Sequence, residues 1–144
     1  MPRIDVSYST GALSSAAQKT LPPQLAAAML RWEKAPDTPY MRSISWVHLC
    51  EVETFDADGP ASGHFVVDVN VPAGALNDRR REGLVAEFTQ LVLEAAGLSE
   101  EDAMQVWVIV HEISDGHWGA GGKIVRLADL REIVMRELGH QPPS

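Results

Sequence analysis

Gly11-Ala12-Leu13 returns 63 residues later as Gly74-Ala75-Leu76, and the residues flanking the two triplets decide the fold. Ahead of each triplet runs a short alternating stretch, Ile4-Asp5-Val6-Ser7-Tyr8 and Val67-Asp68-Val69-Asn70-Val71, with apolar residues in phase and an aspartate at the matched place. A period of two is the pattern of a strand with one buried face. Behind each triplet stands a capping pair, Ser14-Ser15 or Asn77-Asp78. Such side chains satisfy the free amides at a helix start, and a helical pattern follows in both copies.

The second helix places Leu84, Val85, Phe88, Leu91 and Val92 on one face and stops at Gly97. In the first, Leu25, Met29 and Trp32 are the buried side, and Pro22-Pro23 predicts a kink or a restart because two backbone donors are missing. Each helix leads to another strand, Ser43 to Val52 and Gln105 to Ile113, in which Trp46 and Glu51 answer to Trp107 and Glu112. Strand, helix, strand read twice predicts two βαβ units with parallel paired strands and right-handed crossovers. Together they form a four-stranded sheet with both helices on one face, an α/β two-layer sandwich. The expected organisation is one domain over residues 1-144, made of repeats 2-53 and 64-126 and a helical extension over 127-139. Thr54 to Gly63, with Asp56, Asp58, Gly59 and Pro60, reads as the linker.

Strand phase separates the two sheet faces. Val47, Leu49, Val106, Val108 and Val110 point to the helices, whereas Arg42, Ile44, Trp46, His48, Cys50, Trp107, Ile109 and His111 share the other face. That face is too apolar to lie in water, which predicts an oligomer. The amphipathic extension, with Leu127, Leu130, Ile133, Val134 and Leu138, reads as a clamp on a neighbouring subunit.

A net charge of -8 over 144 residues argues against a nucleic-acid or anionic-membrane partner. No apolar stretch approaches the roughly 20 residues of a membrane span, and the first residues lack the order of a signal peptide, so the expected location is cytoplasmic. The single cysteine, Cys50, can form neither an internal disulfide nor a zinc cluster and reads as buried strand filler. No metal and no cofactor are expected.

Pro2 follows the initiator methionine, and cleavage of Met1 would turn it into a secondary amine. The α-amino reference pKa is about 8, and burial lowers it towards the range suited to proton transfer. With Pro2 and the repeat, the segment Gly116-His117-Trp118-Gly119-Ala120-Gly121-Gly122 resembles the glycine-rich closing stretch of 4-oxalocrotonate tautomerase. The chain thus resembles the tautomerase superfamily in its fused two-unit form, to which cis-3-chloroacrylic acid dehalogenase and malonate semialdehyde decarboxylase also belong.

The resemblance implies a homotrimer with inward-facing sheets, and a small carbonyl or 2-keto acid substrate isomerised between keto and enol forms by Pro2. Trp118 takes the place of a phenylalanine that lines the family's apolar pocket. The chain departs from the family at its arginines, where Ala12, Trp46, Ala75 and Trp107 stand instead. Arg42 is the substitute that the strand phase offers, and Trp46, Trp107 and His48 complete the expected substrate-binding set. His48 and His111 read first as satisfied interface histidines, with a neutral hydrogen-bond donor or second proton carrier as the alternative. Glu51 and Glu112 read as a repeated ion pair, and Arg79 to Arg81 as surface. Two other functions remain open at this stage: a hydratase, dehalogenase or decarboxylase related to the cis-3-chloroacrylic acid enzyme, and a catalytically idle trimeric binding or scaffold protein.

Overall fold

The computed structural model describes residues 1–56, 59–60 and 63–139. Strand β1 (Arg3–Ser9) leads into α1 (Ser15–Trp32), the short α2 (Pro39–Ser43) and β2 (Trp46–Val52). The connector carries a small ladder between β3 (Phe55–Asp56) and β4 (Gly59–Pro60), and Asp58 of the expected linker lies outside the described residues. The second half runs through β5 (Phe65–Pro72), α3 (Asp78–Ala96), a 3-10 turn at Glu100–Gln105 and β6 (Val106–Ile113). A hairpin of β7 (Gly119–Ala120) and β8 (Lys123–Ile124) then precedes α4 (Leu127–Leu138).

The sheet order is β2-β1-β5-β6, with β1–β2 and β5–β6 parallel and β1–β5 antiparallel. Both helices α1 and α3 cover one face, as two crossovers of one hand require, and the α/β two-layer arrangement is the one read from the repeat.

The repeat extends to individual hydrogen bonds. Ser14 caps α1 by accepting from the Ala17 amide, and Asn77 caps α3 by accepting from the Arg80 amide. The turns before them are closed by Ala12 N–H to Ser9 O at 2.9 Å and Ala75 N–H to Pro72 O at 3.1 Å. Gly11 and Gly74 stand in those turns at φ of 79° and 91°, a region that side chains disfavour, which explains why both copies carry glycine there. Asp5 and Asp68 pair with each other across the central ladder, so the repeats meet about a pseudo-two-fold axis between them.

The core between sheet and helices is built from Ile4, Val6, Val67 and Val69 against Leu25, Met29, Leu84 and Phe88. Val47, Leu49, Val108 and Val110 pack against it from the outer strands, as their phase predicts. Helix α1 is continuous through Pro22-Pro23, contrary to the expected restart. The missing amides would have bonded the carbonyls of Gln18 and Lys19, both exposed residues whose carbonyls water can satisfy.

The two helices meet where Trp32 lies over Gly83, with its Nε1 donating to Glu87 Oε2 at 2.8 Å. A Cβ on residue 83 would collide with the Trp32 ring. Gly83→Ala should therefore destabilise the protein by about 1–3 kcal/mol through overpacking, outweighing the roughly 1 kcal/mol that alanine gains inside a helix. A lower urea midpoint at unchanged slope is the expected result, and a raised midpoint would contradict this packing.

The uncovered face carries Trp46 at 60% exposure, Trp107 at 62% and Ile109 at 41%. Cys50 is exposed on it rather than buried, because it shares the phase of Trp46 and His48. The opposed Asp5 and Asp68 are each bonded by a histidine: His48 Nδ1 lies 2.9 Å from Asp5 Oδ1, and His111 Nε2 2.7 Å from Asp68 Oδ1. The matched glutamates differ in role. Glu112 pairs with Arg81 at 2.7 Å, while Glu51 accepts the Gly11 amide, so the ion pair is present in one copy and replaced by a backbone contact in the other.

Helix α4 folds onto its own chain, where the sequence predicted a grip on a neighbour. The Thr38 hydroxyl donates to the buried Glu137 Oε2 at 2.7 Å, and the Arg136 guanidinium stands 5.4 Å from the Tyr40 ring centre. Its first turn is fixed by Leu127 N–H donating to Asp115 Oδ1 at 3.0 Å.

Candidate active site

Pro2 is buried immediately ahead of β1, and its carbonyl accepts the Trp46 amide at 3.1 Å, so the sheet ladder itself anchors the chain start. The Met1 nitrogen points towards Glu33, 3.9 Å from its Oε2. Burial holds this amine below the ordinary α-amino value, with the Glu33 charge opposing the shift. Burial likewise pushes the Glu33 carboxyl above its ordinary range, against the pull of the terminal amine. Both groups are thus driven towards their neutral forms, as low polarity dictates. The Glu33 side chain is 10% exposed, and its Oε1 has no hydrogen-bond partner among the described residues. Leaving such an oxygen unmet costs about 1–3 kcal/mol.

Two recesses meet at the terminus. One, of about 510 Å³, is lined by Pro2, Arg3, Trp46, Trp118 and the Gly119–Gly121 backbone. The other, of about 410 Å³, lies beneath α4 and contains Glu33, Met41, Arg80, Leu130, Arg131 and Val134. Met1 and Ile44 line both. Trp118 is held in place by the bond from Val125 N–H to its carbonyl at 2.8 Å.

Of the residues expected from the sequence, the structure brings Pro2, Trp46 and Trp118 together. Trp107 is elsewhere, at the far end of the sheet, in a recess of about 270 Å³ with His64, Phe65, Val66, Met104 and Gln105. This recess is the repeat copy of the Pro2 recess. Trp46 Nε1 donates to Ser43 O at 3.1 Å and Trp107 Nε1 to Met104 O at 3.2 Å, the same contact in each half. Phe65 occupies the place of Pro2, and being inside the chain it offers no amine. Duplication therefore copied the tryptophan without its chemistry. His48 lies beyond Trp46 on β2 and is engaged with Asp5, outside both recesses at the terminus.

Arg42 is corrected most sharply. It sits on α2 rather than on the strand, because Pro39 at the helix start and the Thr38 cap begin a helical turn there. Its guanidinium binds both Asp37 oxygens, at 2.6 and 2.9 Å, and the Pro23 carbonyl at 3.0 Å. The bond to Arg42 holds Asp37 below its usual carboxylate range, and the same bond raises the arginine. A guanidinium so occupied is a strut between α1 and α2. Arg42→Ala should leave KM for an acidic substrate unchanged and lower stability by about 1 kcal/mol or less; a large rise in KM would restore the clamp.

Sequence reasoning missed Glu33, Arg80 and Arg131. Arg80 lies in the run read as surface, yet it lines the cavity beneath α4 and donates to the Ala75 carbonyl at 3.4 Å. Arg81 pairs with Glu112 and also with Asp78.

Comparison with known proteins relates the second half of the chain to a family and most of the chain to a known fold. Residues 66–128 match the family model described as tautomerase enzyme. No curated protein matches. Among solved structures, the chain is similar to Pt0534 inactivated by 2-oxo-3-pentynoate, at 20% identity and a TM-score of 0.73, covering 88% of this chain and 97% of that one. It is equally similar to N1, a member of the cis-3-chloroacrylic acid dehalogenase family, at 20% identity, a TM-score of 0.73 and coverage of 98% and 92%. A fused 4-OT described as Q0, a symmetric trimer, aligns at 19% identity with a TM-score of 0.71, over 89% of this chain and 98% of that chain. At these identities the likeness is one of fold. Residues 66–128 thus carry the tautomerase family's pattern, and over most of its length the chain shares the fold of these structures.

Proposed function

We propose that the chain, once Met1 is removed, is a tautomerase that uses the Pro2 secondary amine to move a proton on a small carbonyl or 2-keto acid substrate. The observation that carries this reading is the buried chain start, set where two recesses meet and where burial holds the neighbouring Met1 amine below its ordinary value. A neutral amine is a base at physiological pH; a charged one is not. Trp118 and Trp46 supply apolar walls to one of these two recesses.

Hydration or dehalogenation, as in the cis-3-chloroacrylic acid branch, requires a group that takes a proton from water. The carboxyl next to the terminus is Glu33, and burial pushes it above its ordinary range, towards the acid form rather than the base that water would need. That favours isomerisation. A retained Met1 would favour the catalytically idle alternative, since an acylated proline has no basic nitrogen.

The same reading makes the protein a homotrimer, with the open face bearing Trp46, Trp107 and Ile109 turned inward. Among the described residues no helix is long and apolar enough to cross a membrane. The proposed place of action is the cytoplasm. The test is the rate of enol ketonisation in forms that differ only at the chain start.

A further inference from the structure

The cavity beneath α4 is lined by two arginines that the Trp118 recess lacks, Arg80 from α3 and Arg131 from α4. Met41, Leu130 and Val134 give it apolar walls, with Ile44 shared between the two. Glu33 also lines it, with Oε1 unpartnered among the described residues. Its volume of about 410 Å³ falls in the usual range for a small-molecule site. The lid over it is fastened by the buried contact from Thr38 to Glu137. A ligand that hydrogen-bonds to Glu33 would satisfy the one buried side-chain atom left unmet in the described residues.

Resting on the reading that Pro2 is the working amine, we propose that this cavity is the substrate chamber, that it takes a monocarboxylate with a carbonyl group and an apolar chain, and that the Glu33 carboxyl is the second proton carrier.

The Pro2 nitrogen lies three covalent bonds from the Met1 nitrogen, about 3–4 Å, and the latter is 3.9 Å from Glu33 Oε2. Removal of Met1 leaves between proline and glutamate a gap the size of a reacting carbonyl unit. Pro2 takes the proton from the carbon beside the carbonyl, and the C–H electron pair becomes the new C=C bond. The carbonyl π pair moves to oxygen, which takes the Glu33 proton. The enol leaves behind a prolinium and a carboxylate, and transfer of the proton between these two restores both. Ketonisation is the same sequence reversed. One substrate carboxylate can be met by Arg80 and Arg131, while a second would be buried unpaired against Met41 and Val134.

The test uses protein that begins at Pro2, with the enol of an alkyl 2-keto acid as substrate and 2-oxo-3-pentynoate, an electrophile for amines, as label. Wild-type turnover should be bell-shaped in pH, its acidic limb from Pro2 and its basic limb from Glu33; the charged groups facing that carboxyl are the terminal amine, Arg80 and Arg131. Glu33→Gln should lower kcat about 100-fold, remove the basic limb and leave labelling of Pro2 intact. It should also flatten a fall in wild-type stability as pH rises through the raised Glu33 value, because only the folded chain holds that proton. Arg131→Ala, an exposed change, should raise KM about tenfold or more, as should Val134→Trp, which fills the chamber. Wild-type kcat and pH profile in Glu33→Gln, with Pro2 still labelled, would overturn the role of Glu33 and leave Pro2 standing. Unchanged KM in both Arg131→Ala and Val134→Trp would overturn the chamber. Absence of Pro2 labelling and of turnover in the wild type would overturn the reading beneath both.

Discussion

Protein that begins at Pro2 is expected to ketonise the enol of a simple 2-keto acid about 10²- to 10⁴-fold faster than the same protein retaining Met1, the range usual for a positioned acid–base group. Acylation by methionine turns the prolyl nitrogen into a tertiary amide, which has no basic lone pair. The Met1 amine does not replace it, since it stands displaced by three bonds and faces Glu33. Pro2→Ala, similarly processed, keeps a primary amine at the right place and should fall between the two. Its nitrogen lacks the ring that fixes its direction, so much of the rate should be lost. Stopped-flow absorbance of the decaying enol measures all three. Equal rates would remove Pro2 from the chemistry and favour an idle scaffold.

The second large effect concerns assembly. Trp46, Trp107 and Ile109 are large apolar side chains left exposed on the sheet face opposite α1 and α3, the kind of surface that association covers. A three-fold arrangement of the open faces would bury it, along with the Asp5–His48 and Asp68–His111 pairs. Ile109→Asp introduces a carboxylate next to Asp68, its partner across the β5–β6 ladder. Like charges side by side, desolvated in an interface, are strongly unfavourable. Sedimentation should show the wild type as a trimer at micromolar concentration and Ile109→Asp as a monomer. A wild-type monomer, or a variant trimer of undiminished stability, would contradict an inward-facing sheet.

The fold was largely legible because it is written twice. Glycine at 11 and 74, caps at 14 and 77 and tryptophans at 46 and 107 are local signals, and each reappears in the structure with the same hydrogen bonds. The site was only half legible, for the same reason. Repetition made Trp46 and Trp107 look equivalent, although the place beside Trp46 holds Pro2 and that beside Trp107 holds Phe65. Arg42 was misplaced because five residues of α2 break the strand phase ahead of Trp46. Glu33 carries no sequence signal, since its importance comes from the tertiary placement of the end of α1 beside Met1. Arg80 looked like part of a basic run, and only the return of α4 over the cavity shows what it lines.

The most direct test of the central claim, that the chain start is a working prolyl base, is an ¹⁵N NMR titration of protein labelled at Pro2. The account predicts a secondary amine, with Met1 gone, that titrates clearly below the ordinary α-amino value of about 8. An amide resonance that does not titrate, or an amine titrating at or above that value, would contradict it.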